Sequence, residues 1–183
     1  RPDALIVAAY KWLLGPYSVG LGYFGPRFDS GVPLEETWIG RDKSEDFQNL
    51  VHYRDEYQPG ALRYDVSERS NFALLPMVVA SLRLVREWSP EGIQEYCRGL
   101  ISGALGEAAA LGFSVEDEAW RGSHLFGLRM PPAIDLAGLK DALERRKVVA
   151  SLRGSALRLA PNVYNDASDV DALMDGLREA VAF

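Results

Sequence analysis

The chain has 183 residues, 48% hydrophobic and 25% charged, the balance of a globular protein rather than a disordered one. A net charge of -6 without any lysine- or arginine-rich stripe argues against nucleic acid as a partner. A single cysteine rules out an internal disulfide framework and suits a cytoplasmic protein, and no apolar run approaches the roughly 20 residues that cross a bilayer.

In chain order, residues 4–9 and 19–24 read as two apolar strands around a turn that carries Lys11, closing at Gly25-Pro26. Residues 29–70 show little periodicity but many aromatic side chains, among them Trp38, Phe47, Tyr53 and Tyr57. An irregular stretch this long is unusual inside a compact domain and reads as an interface segment. Regular signals resume at Asn71. Pro76 fits the first turn of a helix with Val79, Leu82 and Val85 inward. Ser89-Pro90-Glu91 is a cap, a proline and an acid that open a second helix, burying Ile93, Cys97, Leu100, Ala104, Ala108 and Leu111 and ending near Gly112. Residues 123–130 alternate like a strand. Asp135 caps a third helix bearing Leu136, Leu139 and Leu143, and Arg145-Arg146-Lys147 at its end complements the helix dipole. Residues 148–152 and 155–160 read as short strands meeting near Gly154. Ser168-Asp169-Val170-Asp171 resembles a capping box for a last amphipathic helix. The expected class is α/β, with residues 71–183 forming a small sheet covered by helices.

Two cations stand out. Lys11 interrupts an apolar stretch, where an isolated charge is expensive unless the amine is partnered or neutral, and a dry, neutral amine can attack a carbonyl. Arg158 lies between Leu157 and Leu159, so alternation puts it on the opposite face with Ala156 and Ala160, which leave room for a guanidinium to grip a carboxylate. Arg153 beside Gly154 is a weaker candidate, read as structural. His124 reads as a satisfied structural histidine, and Cys97, on the apolar stripe of a helix, as inert core. Two histidines and one cysteine, far apart, suggest no metal site.

The segment Tyr10-Lys11-Trp12-Leu13-Leu14-Gly15-Pro16, followed by Gly20, closely resembles the cofactor-lysine segment of the class V aminotransferase-like family of pyridoxal-phosphate enzymes, of fold type I. Residues 151–165 resemble that family's strand carrying the arginine for the substrate α-carboxylate. Residues 63–72 resemble, more loosely, its phosphate-binding loop: many relatives have Gly-Thr-Pro-Asn where this chain has Ser67-Glu68-Arg69-Ser70-Asn71. Tyr10 departs from desulfurase-like members, which commonly have histidine there.

The resemblance implies the C-terminal half of such an enzyme, with residues 1–28 as the end of its large cofactor-binding domain, a reading that the opening Arg1-Pro2-Asp3 suits. It implies pyridoxal 5'-phosphate as cofactor and Lys11 as the catalytic Schiff-base lysine. Tyr10, Ser70 and Asn71 would contact the cofactor, with Arg69 within reach of phosphate. Arg158 would bind an amino-acid or keto-acid substrate. It also implies a homodimer and an aminotransferase, with epimerase or kynureninase-like lyase chemistry as the alternative. A non-catalytic dimerisation module retaining the fold is the rival from another class. The absence of cysteine between residues 144 and 156 argues against sulfur transfer through a persulfide.

Overall fold

The structure, a computed structural model, describes residues 1–182. The chain divides into two compact units, Arg1–Glu87 and the residues from Trp88 onward.

In the first unit, strands β1 (Ala4–Ala8) and β2 (Gly20–Phe24) pair antiparallel, Ala4 opposite Phe24 and Ala8 opposite Gly20. The apolar run makes them strands, yet the pair carries no third strand, and side chains on both of its faces meet solvent: Leu5 and Ile6 are 51% and 70% exposed. Residues 25–70 contain no α-helix or strand, only 3-10 turns such as Gly60–Tyr64. Polar side chains bonded to backbone hold this stretch instead. The Tyr64 hydroxyl donates to Phe28 O (2.6 Å) and Arg63 to Gly31 O (3.0 Å) and Gln58 O (3.1 Å). Buried Gln58 donates to both Ile39 O and Ser44 Oγ at 2.9 Å. This is why hydrophobic periodicity was silent there: order comes from local polar bonds. Gly31 is required, because a Cβ on it would sit 2.0 Å from the Tyr64 oxygen. Helix α1 (Leu75–Trp88) follows, with Pro76 in its first turn as expected. Its buried positions are Val78, Ser81 and Val85, not Val79 and Leu82; Ser81 tolerates burial because its hydroxyl bonds back to Val78 O at 2.9 Å.

The second unit runs α2 (Pro90–Ala110), β3 (Phe126–Arg129), α3 (Leu136–Arg145), β4 (Ser151–Arg153), β5 (Ala156–Leu159) and α4 (Ala167–Val181). The Ser89 side chain accepts from Gly92 N–H at 3.0 Å, and Asp135 from Ala137 and Gly138, so both expected caps form. The cap of α4 lies two residues before the expected one. Asp166 takes the amides of Ser168 and Asp169, and Asp169 reaches back to Asp166 N–H, a reciprocal box built from two aspartates. Strand β3 begins at Phe126 rather than 123, because the Gln94 side chain from α2 captures Ser123 N–H (2.9 Å) and His124 Nδ1 (2.6 Å). Strand β4 begins only at Ser151, since Val148 N–H is spent on Leu143 O at the end of α3.

The sheet is antiparallel in the order β3-β5-β4. Phe126, Leu128, Leu157 and Leu159 face the helices and join Ile101, Leu139, Leu143, Met174 and Leu177 in one core. Each such fully buried side chain contributes roughly 1.5–3 kcal/mol. Ion pairs then tie the helices: Arg178 to Glu107 at 2.5 Å, and Arg146 to Glu179 at 2.7 Å with Arg145 adding a second bond to Glu179. The basic run after α3 thus grips α4 as well as complementing its own helix. Among the described residues, no helix is long and apolar enough to cross a membrane.

Candidate active site

Lys11 stands on the tight connection between β1 and β2. Ala9, fully buried, anchors it: Ala9 N–H donates to Val19 O (3.0 Å) and Gly15 N–H to Ala9 O (2.8 Å), while Leu14 N–H closes on Lys11 O (2.9 Å). Gly15 allows that approach, since a Cβ there would lie 3.0 Å from the Ala9 Cβ and 3.1 Å from its oxygen. The rings of Tyr10 and Tyr17 stack at 4.2 Å between centroids, and the Lys11 ammonium lies 5.3 Å from the Tyr10 ring. The backbone under Lys11 is therefore fixed. Lys11, however, is an exposed residue in this chain, whereas its apolar flanks predict a dry environment. The cause is the open two-stranded pair described above: apolar residues flank the lysine in sequence, but Leu5 and Ile6, on opposite faces of the pair, both meet solvent.

Ser70 and Asn71 precede α1, and both are exposed. The Asn71 Oδ1 accepts from Ala73 N–H (3.2 Å) and Leu74 N–H (2.9 Å), so it caps the helix and leaves its amide N–H groups as the side chain's donors. Arg69 is paired with Asp65 at 2.6 Å, and Ser67 donates to Glu35 at 3.0 Å. The Lys11 amine and Tyr10 hydroxyl on one turn, and the Ser70 hydroxyl and Asn71 amide on another segment, are groups whose chemistry fits an aldehyde that carries a phosphate.

Arg158 lies on the outer face of the sheet in the second unit, as alternation requires: Leu157 and Leu159 are buried while Arg158 is exposed. Gly127 stands opposite it on β3 and Ser151 on β4, whose hydroxyl makes only a long 3.5 Å approach to the guanidinium. Small neighbours on both sides leave the planar fork open for a ligand. Cys97, in contrast, is fully buried with its thiol toward Pro161 O (3.4 Å), and burial pushes that thiol's pKa up. The Gln94 and His124 pair sits just before β3 as part of the scaffold. The sequence reading did not foresee that Arg129 and Arg153 share the outer side of the sheet with Arg158, or that Arg121 lines the same cleft as those two. The signal was the alternation of Gly127 with Leu128 and of Ala156 with Leu157, which put small residues on that face.

No protein-family model matches the chain, and no curated protein matches it. Solved structures do. It is similar to the apo cysteine desulfurase from Thermococcus onnurineus NA1 (TM-score 0.76, 15% identity), covering 98% of this chain and 47% of that one. It is similar to the cysteine desulfurase CsdA from Escherichia coli (TM-score 0.73, 18% identity; 98% and 46%) and to the alanine–glyoxylate aminotransferase from Nostoc sp. (TM-score 0.62, 16% identity; 99% and 48%). The fold of this chain is that of part of each of these solved structures. This chain spans slightly under half the length of the solved structures that it matches.

Proposed function

We propose that this chain is part of a pyridoxal-phosphate-dependent enzyme acting on an amino acid, most economically an aminotransferase. The observation that carries the proposal is the fold shared along nearly the whole chain, with the Lys11 turn and the Arg158 strand as its two cationic features. Lys11, Tyr10, Ser70 and Asn71 would hold the cofactor, which when bound supplies an electron sink for charge developing at the substrate Cα. Arg158 grips the substrate α-carboxylate through its planar fork and fixes the orientation of Cα. The Lys11 amine takes the Cα proton as general base and returns it as general acid. Covering the open β1–β2 face would exclude water from that amine, and the same reading carries a homodimer.

Cys97 supports transamination over desulfurase chemistry: sulfur transfer needs an accessible thiolate, and this thiol is buried and held protonated. Epimerase and lyase outcomes use the same two residues and stay as alternatives within the proposal. The test is reductive trapping. Full-length protein incubated with pyridoxal phosphate and then borohydride should carry the label on Lys11 by peptide mapping, and Lys11→Ala should lose both the label and the visible absorbance band. A band that survives in Lys11→Ala would overturn the assignment, and no band in the wild type would favour a non-catalytic module.

A further inference from the structure

We propose that the outer face of the second unit's sheet is a dianion site, in which Arg153, helped by Arg121, takes a second carboxylate of the substrate held by Arg158. The inference deepens the proposal above and rests on the carboxylate role of Arg158.

The strand register lays out the face in two rows. Gly127, Arg158 and Ser151 lie side by side, and Arg129, Ala156 and Arg153 form the next row. Residues two apart on a strand are separated by about 7 Å, so the rows stand at the spacing of a short dicarboxylate. Gly127 and Ala156 make a floor with almost no side chain. The second row borders a cleft of about 430 Å³, to which Arg121, Arg129 and Arg153 contribute, with Trp120 on the rim.

Three guanidiniums meet one carboxylate in that cleft, Glu116, and Arg129 already holds it at 3.1 Å. The other two arginines have charge to spare. Arg121 lies 5.5 Å from the Phe126 ring and donates through Nε to Glu116 O, but its Nη1 is buried and has no hydrogen-bond partner among the described residues. Arg153 is exposed, and its one hydrogen bond among the described residues is to the carbonyl of its own neighbour Leu152. A structural role, the reading that the sequence favours, would give Arg153 an acid or a buried contact, and it has neither. An unpartnered cation beside a buried unsatisfied donor on an otherwise bare floor is a built receptor for an anion. A dicarboxylic amino or keto acid would bridge the rows, its α-carboxylate on Arg158 and its distal carboxylate on Arg153.

The experiment compares glutarate with butyrate, which differ by the distal carboxylate, by calorimetry on the full-length protein at low and high salt. Glutarate should bind about tenfold more tightly, the effect of one exposed charge-assisted hydrogen bond, and salt should shrink the advantage. Arg153→Gln should bring the two ligands to equal affinity without changing butyrate, and Arg153→Lys should restore most of the preference. Equal affinities in the wild type, or an undiminished preference in Arg153→Gln, would overturn the inference. Arg158→Leu separates the two proposals. It should weaken both ligands alike; butyrate binding that survives it would instead remove the carboxylate role of Arg158, and the dianion site with it.

Discussion

Gly127 offers a sharp test of the outer face, because stability and binding should move in opposite directions. A Cβ built on Gly127 has the Ala156 Cβ at 3.5 Å as its one neighbour within 4 Å, an ordinary contact, and the residue is not among those with left-handed backbone. Gly127→Ala therefore fills open space without strain. Glycine within a strand costs roughly 0.5–1 kcal/mol relative to alanine, through the extra freedom it loses on folding. The substitution should return about that amount. For a unit of this size each kcal/mol shifts the midpoint by about 4–8 °C, so thermal unfolding followed by circular dichroism should move upward by about 2–8 °C. Enlarging the same position places atoms directly opposite Arg158. Gly127→Leu should fold at least as well as the alanine variant yet weaken carboxylate binding by about tenfold, as the guanidinium loses its approach. If Gly127→Ala lowers the midpoint, or Gly127→Leu leaves carboxylate affinity unchanged, this face is not the open surface described above.

Leu177 is fully buried on the inner face of α4, and Leu177→Ala should cost about 2–5 kcal/mol by chemical denaturation, whereas Val149→Ala, at a 99% exposed position, should change stability by under about 0.5 kcal/mol. Acid should loosen α4. The hydrogen bond from Arg146 holds the Glu179 carboxyl below its ordinary pKa, and Arg178 does the same for Glu107. A lowered folded-state value means that their contribution is complete above the unfolded carboxylate range, about pH 4.3, and is lost as pH falls through the folded value. Urea midpoints should fall below about pH 4.5; Glu179→Gln should flatten that dependence, and added salt should do so in part, because these pairs are solvent-accessible.

The sequence alone determined the elements whose cause is local. Pro76, the Ser89 and Asp135 caps, the alternation around Arg158 and the apolar runs of β1 and β2 each act within a few residues, and each produced the element expected. Where a distant partner intervenes, local reading misplaced the boundary: Gln94 delays β3, and Leu143 delays β4 by claiming Val148 N–H. The interior of residues 29–70 was illegible because Gln58, Arg63 and Tyr64 order it through backbone oxygens that no periodicity encodes. Tertiary structure alone decided what surrounds the two chemical residues. The flanks of Lys11 are apolar in sequence, but water is excluded only by atoms packed in space, and on the β1–β2 pair Lys11 is an exposed residue. The gathering of Arg129 and Arg153 beside Arg158 likewise depends on strand register, which pairs residues about thirty positions apart (Gly127 with Arg158) and so lies beyond any local pattern.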